Sequence, residues 1–191
     1  MMKALANLLF EARILKEIPR SGFHFLGSGR ESVAEHSFLT TFVGYVLSQI
    51  EPEADPLKIV QMCLIHDLGE ARTGDLNYVQ KKYVASDEAK AVAELTARVP
   101  FGPAMGRLFD AFRHGETLEA RLAHDADQLA LILELKALCD TGYHGPETWL
   151  PHVVARLQTD AGKDLAAEIL KTASDEWWFE EKGNGPAGDT T

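Results

Sequence analysis

Apolar side chains recur three and four residues apart along most of this chain, and no stretch alternates apolar and polar residues over the length of a strand. That periodicity restricts the fold to packed helices. Leu5, Leu8, Leu9 and Ala12 make one face of a first helix, which Pro19 ends. Residues 20–31 contain Gly22, Gly27, Ser28 and Gly29 and read as a loop. Ser32-Val33-Ala34-Glu35 is a capping box that opens a second helix. Asp55 and Pro56 open a third as N-cap and first helical residue, and it carries Ile59, Val60, Cys63 and Leu64 into His66-Asp67. Further helices are expected over 86–99 (stopped by Pro100), over 103–113, from a cap at Thr117 to Cys139, and near 147–158 and 161–181. The expected fold class is all-α: a single bundle of about eight helices over residues 1–182, with the Gly-rich polar stretch 183–191 as a disordered tail.

The 191 residues, 46 % of them hydrophobic, suffice for one domain with its own core. A net charge of −10 argues against a nucleic-acid polymer as partner, because backbone binding needs clustered Lys and Arg. A small anion stays open, since one cation and one or two arginines make a pocket locally positive. Lys3, Glu11, Arg13 and Lys16 make the first helix amphipathic rather than a signal peptide. The most apolar longer stretch, Phe38 to Ile50, contains Thr40, Thr41, Ser48 and Gln49 and is too short to span a bilayer. No membrane partner is expected, and a cytoplasmic location is. Cys63 and Cys139 lack Cys-x-x-Cys spacing and read as buried thiols of a reducing compartment.

His66 and Asp67 offer a nitrogen and an oxygen ligand side by side at a helix end. His36 projects from the first full turn after the capping box, and Asp127 supplies a later carboxylate. A mixed N/O set of this kind suits a divalent cation and hydrolysis of a phosphate ester. Glu70 lies four residues from His66 and three from Asp67, so it shares their face if the helix persists through Gly69. There it is a spare carboxylate placed to align or deprotonate water. Asp127 sits among Ala123, Ala126, Ala130 and Leu131, where a charge is costly unless a cation or hydrogen bonds compensate it. A pairing with Arg121 is the competing reading, and His124 and Asp125 are rival ligands that spacing alone does not exclude. Arg20, beside Ser21-Gly22, offers a planar fork for phosphate, whereas Lys81-Lys82 reads as a solvated pair. His24, His114, His144 and His152 fall near loops or helix ends and read as surface or supporting residues. Trp177-Trp178-Phe179 reads as docking the last helix onto the core or onto a partner subunit.

Taken together, Ile18-Pro19-Arg20-Ser21-Gly22, Glu31-Ser32-Val33-Ala34-Glu35-His36-Ser37, His66-Asp67-Leu68-Gly69-Glu70, Thr73-Gly74-Asp75-Leu76 and Asp127-Gln128 resemble the HD-domain superfamily of metal-dependent phosphohydrolases. The nearest group is the small 5′-deoxynucleotidases of the YfbR-like kind, and the likeness runs from about residue 13 to 140. The resemblance implies that His36, His66, Asp67 and Asp127 hold one divalent metal ion, Co²⁺, Mn²⁺ or another first-row ion, and it selects Asp127 over Asp125. It implies Glu70 as the catalytic glutamate, Arg20 as the arginine that orients the phosphate, and Asp75 as the contact to the deoxyribose. Ser21 departs from the pattern, because some members carry Trp beside the arginine; Phe23 is the alternative aromatic. Asn77 replaces a common proline. Both changes border the expected nucleoside pocket, where Asn77 and Tyr78 are further substrate contacts.

The implied activity is hydrolysis of deoxyribonucleoside 5′-monophosphates to deoxynucleoside and phosphate by a homodimer. The alternatives are a phosphohydrolase of the same fold acting on a nucleoside triphosphate or another small phosphate ester, and a non-catalytic nucleotide-binding module. A two-iron oxidative enzyme needs further histidines before the last aspartate, and only His114 and His124 fall there.

Overall fold

The computed structural model describes residues 1–179. The α-helices are α1 (Met2–Ile14), α2 (Phe23–Leu26), α3 (Val33–Ile50), α4 (Pro56–Ile65), α5 (Glu70–Thr73), α6 (Glu88–Thr96), α7 (Gly102–His114), α8 (Leu118–Asp140), α9 (Leu150–Val154), α10 (Asp160–Lys171) and α11 (Glu176–Phe179). The expected helical segments are present, although the one near 147–158 is a 3₁₀ turn over Gly145–Thr148 followed by the short α9, and among the described residues there is no strand, only an isolated bridge between Pro19 and Ser32. The single turns α2 and α5 are additions. The expected last helix is two, because Thr172 takes an extended conformation at the end of α10. The tail expected at 183–191 lies outside the described residues.

The helix starts follow from local chemistry. Ser32 Oγ accepts from the Glu35 amide at 3.2 Å while Glu35 Oε2 accepts from the Ser32 amide at 2.7 Å, the reciprocal pair of a capping box. Asp55 Oδ1 caps α4 by accepting from the Leu57 and Lys58 amides, and Thr117 Oγ1 caps α8 by accepting from the Ala120 amide. The end of α1 differs from expectation: the helix stops at Ile14, not at Pro19. The reason is tertiary. The Leu15 and Ile18 carbonyls accept from the Ala34 and Val33 amides at 3.1 and 2.9 Å, so they serve the first turn of α3.

The centre of the molecule is α3, α4 and α8, which bury Leu47, Ile59, Met62, Leu122, Leu129, Ile132 and Leu135 completely. Helices α3 and α4 run antiparallel and close. A Cβ on Gly44 would fall 2.6 Å from Cys63 Sγ, so no larger residue fits there without parting the two helices. This pairing puts the start of α3 beside the end of α4. A second cluster, Leu15, Val33, Leu68 and Leu95, packs the residues around those two helix ends against α1 and α6. Arg72 locates α5 by bonding Glu11 of α1 at 2.8 and 3.0 Å and Glu94 of α6 at 3.0 Å. Being largely exposed, these pairs fix position more than they add stability.

Candidate active site

His36, in the first full turn of α3, is completely buried, and His66 closes the end of α4. Their ring centroids are 5.5 Å apart. His66 Nδ1 lies 2.8 Å from the Cys63 carbonyl, which only accepts, so that nitrogen carries a proton. Its Nε2 is buried, has no hydrogen-bond partner among the described residues, and faces Asp67 Oδ2 at 3.2 Å. An imidazole Nε2 held against a carboxylate oxygen fits a proton in the cation-free protein and, in its place, a cation bound by both. Ligand atoms of His36, His66 and Asp67 all lie within 4.8 Å of one another. Asp127 stands beside that group of three rather than within it: its Oδ1 lies 2.9 Å from His36 Nε2, while its Oδ2 accepts from Gln128 Nε2 at 2.8 Å. These are the partners of Asp127 among the described residues, and Arg121 is not one of them.

The charges respond to one another. Burial alone would lower the pKa of His66, but the carboxylates of Asp67 and Asp127 outweigh it and push the ring up to about 9. His36 moves down, because burial and the charge of Arg20 outweigh Asp127. Burial would raise Asp67, yet the two histidines and Arg20 hold it down at about 2. Asp127 is likewise held well below the usual carboxylate range, with His36 as the main opponent of burial.

The rival ligands have structural work. Asp125 is completely buried and accepts from the Gln158 amide, the Thr159 amide and Thr159 Oγ1 at 2.7, 2.8 and 2.5 Å, which fixes the loop ahead of α10. His124 Nε2 lies 2.7 Å from the Phe112 carbonyl and the ring stacks on Phe112, which in turn packs on His66. His114 Nδ1 pairs with its own helix at the Asp110 carbonyl.

Beyond His66 the helix does not continue uniformly. It tightens into bonds between residues three apart, including Glu70 N to Asp67 O at 2.9 Å. Side chains three apart eclipse in such a turn, which sets Glu70 over Asp67. Glu70 is buried, its Oε2 has no hydrogen-bond partner among the described residues, and burial together with the charges of Asp67 and Asp75 pushes it up to about 9. Gly74, at φ 73°, turns the chain back so that Asp75 reaches the Arg20 loop. Asp75 Oδ2 accepts from the Ser21 amide at 2.5 Å. Arg20 is held by carboxylates on three sides: Nη1 lies 3.4 Å from Asp67 and 3.8 Å from Asp75, and Nε lies 3.9 Å from Glu31. Asn77 borders the same cavity, but its amide is engaged locally, donating to Ser21 Oγ and accepting from the Val79 and Gln80 amides. Tyr78 also lines the cavity and is largely exposed, with Lys82 Nζ 5.0 Å from its ring centre.

Two features escape the sequence reading. Glu31 is buried, its Oε1 is 3.9 Å from His36 Nδ1, and burial pushes its carboxyl up to about 8 despite Arg20. The available signal was its place directly ahead of a cap already served by Glu35. The second is the extent of the cavity, about 870 Å³, whose far wall comes from Trp149, His152, Val153 and Arg156. The expected docking of Trp177 and Trp178 onto the core does not occur, since both are about two-thirds exposed.

This fold and this clustering correspond to the HD domain, whose family model matches residues 12–169. The chain belongs to that family and is a phosphohydrolase. It is 32 % identical over 133 residues to the 5′-deoxynucleotidase HDDC2 of Dictyostelium discoideum, a match covering 63 % of this chain and 70 % of that protein. A conserved hypothetical protein from Pyrococcus furiosus superposes with a TM-score of 0.75 at 28 % identity, covering 87 % of this chain and 99 % of the other. A predicted metal-dependent phosphohydrolase from Magnetospirillum magnetotacticum shares the fold at a TM-score of 0.70 and 22 % identity, covering 93 % and 94 %.

Proposed function

We propose that the protein is a 5′-deoxynucleotidase, releasing phosphate from deoxyribonucleoside 5′-monophosphates. The observation that carries the reading is the placement of Glu70: a buried carboxyl with an oxygen unpartnered among the described residues, set over a His/Asp cluster and beside Arg20, at a cavity of about 870 Å³. A cavity of that size accommodates a whole nucleotide. The name of the Dictyostelium discoideum relative supports the same substrate class.

In this reading His36, His66, Asp67 and Asp127 hold one divalent ion, for which the buried Nε2 of His66 beside Asp67 and the mixed nitrogen and oxygen donors are suited; Co²⁺ and Mn²⁺ are the leading choices. Such an ion, when bound, polarises the phosphoryl group and makes water a better nucleophile. Arg20 orients the phosphoryl oxygens and offsets their charge as the 5′ ester bond breaks. Glu70, whose carboxyl stands at about 9 without a cation, is brought into its ionised form by the charge of a bound divalent ion, and then aligns the attacking water and takes its proton. Asp75, close to Arg20 and tied to Ser21, accepts from a sugar hydroxyl and disfavours an extra 2′-hydroxyl nearby, with Asn77 and Tyr78 bordering the sugar. The proposal includes a homodimer and a cytoplasmic location; the free thiols of Cys63 and Cys139 suit a reducing compartment.

The test is phosphate release from a panel of 5′-deoxyribo- and ribonucleoside monophosphates and the matching triphosphates, with Co²⁺, Mn²⁺, Mg²⁺ or chelator. The expected result is cation-dependent cleavage of the deoxyribonucleoside monophosphates, abolished by chelator. Cleavage of triphosphates alone, or nucleotide binding without phosphate release, overturns the reading.

A further inference from the structure

The cavity is longer than a phosphate and a pentose require. Asp127, Leu131 and Leu135 all line it and are spaced four residues apart, so they share one face of α8. Along a helix the step from Asp127 to Leu131 rises about 6 Å, so the floor leads from the His/Asp cluster to the apolar side chain of Leu131, with Leu135 buried beyond it. The facing wall is a second helical stripe. Trp149, His152, Val153 and Arg156 line the cavity at steps of three, four and seven from Trp149, around α9. None of these residues touches the proposed chemistry.

Trp149 has a particular place in this wall. A Cβ on Gly22 would lie 3.5 Å from Trp149 Cζ3 and 3.7 Å from Cη2, so the indole lies over the loop that carries Arg20 and Ser21. Ser21 itself is buried and presents no aromatic surface, and Phe23 is nearly inaccessible within the core. Phe23 and Tyr78 line the cavity too, but Phe23 is buried and Tyr78 is largely exposed, whereas Trp149 is half-buried and lies against the Arg20 loop. Beside it, Gln128 is held between an acceptor and a donor. Its Nε2 donates to Asp127 and its Oε1 accepts from Arg156 Nη1 at 3.4 Å, which fixes the amide orientation and leaves one N–H and one lone pair for a ligand.

We propose that Trp149, together with Leu131 of α8, is the nucleobase subsite of this enzyme, stacking the purine or pyrimidine ring of a nucleoside monophosphate whose phosphate lies at Arg20. The subsite rests on the nucleotidase reading and deepens it. Stacking is tolerant of base identity, because every base has a π-face. The subsite therefore favours nucleotides over base-free sugar phosphates more than it favours one base over another.

The experiment compares kcat/KM for deoxyribonucleoside 5′-monophosphates with kcat/KM for 2-deoxyribose 5-phosphate, in the wild-type enzyme and in Trp149→Ala and Trp149→Phe. Both rates come from one preparation, so their ratio is independent of the fraction folded. The wild-type ratio strongly favours nucleotides. Trp149→Ala lowers it roughly ten- to a hundredfold, the range that one base–aromatic stack supplies, chiefly through KM for the nucleotide, and Trp149→Phe restores most of it. An unchanged ratio in Trp149→Ala overturns the subsite while leaving the nucleotidase reading intact. Failure of the wild-type enzyme to cleave any nucleoside monophosphate overturns the nucleotidase reading and the subsite with it.

Discussion

Glu70 and Glu31 are both buried carboxyls with an oxygen that has no hydrogen-bond partner among the described residues, yet they act at different places. Glu70 lines the cavity, whereas Glu31 lies behind the cluster, near His36 Nδ1 and Arg20 Nε. Glu70→Gln keeps the shape and removes the proton acceptor. Turnover is expected to fall by about a hundredfold or more, the range of general-base contributions, with metal content unchanged by elemental analysis; loss of the metal instead makes Glu70 a ligand. Glu31 is a positioning residue. Glu31→Ala removes a carboxyl 3.9 Å from both Arg20 Nε and His36 Nδ1, and metal affinity measured by titration is expected to weaken by up to about tenfold, with Glu31→Gln retaining more of it. Equal affinity in wild type and Glu31→Ala removes Glu31 from the account. His36, His66, Asp67 and Glu70 are legible in the sequence because each sits at a helix end whose position a cap or a short turn fixes. Trp149 and Arg156 are not, because they reach the cavity from beyond the break at Gly145-Pro146, and no local pattern ties that segment to Arg20.

The start of α3 is where an element's stability and the site's geometry meet. Its early amide donors are all satisfied: Val33 by the Ile18 carbonyl, Ala34 by the Leu15 carbonyl, Glu35 by Ser32 Oγ and His36 by the Ser32 carbonyl. Ser32→Ala removes one half of the box and is expected to cost about 1 kcal/mol in urea unfolding. The other half has a pH signature. Bonds from the Ser32 side chain and backbone hold the Glu35 carboxyl below its ordinary value of 4.5. A lowered folded-state pKa means that the contribution is fully present above 4.5 and is lost as pH falls through the folded value. The stability gap between wild type and Glu35→Gln should therefore be largest near neutrality and close in acid; a gap that widens in acid contradicts the box. Caps of this kind are readable from sequence because they are local. The early end of α1 is not, since it depends on carbonyls that turn away to serve a helix almost twenty residues further on.

At the scale of the whole molecule, the charge of −10 includes the site's own carboxylates, of which Arg20 answers Glu31, Asp67 and Asp75 and a cation would answer more. The apolar surface is less evenly resolved. Helix α3 buries one face against α4 and α8 and presents another that carries Phe38, Phe42 and Tyr45, at steps of four and three, with exposures of 72, 57 and 49 %. A stripe of three large aromatics on one helix is more apolar surface than a monomer usually leaves in water. Sequence periodicity points to α3 as a helix but does not separate its core face from this second one, because both are apolar. A symmetric pair of chains would cover the stripe with its own copy, since a two-fold axis sets the same patch on both subunits. The wild-type protein is therefore expected to sediment as a dimer at micromolar concentration. Phe38→Glu with Phe42→Glu should shift it to a monomer with an unchanged far-ultraviolet spectrum, because neither side chain contributes to the core. A wild-type protein that sediments as a monomer across that range sinks the dimer, whatever the double variant does.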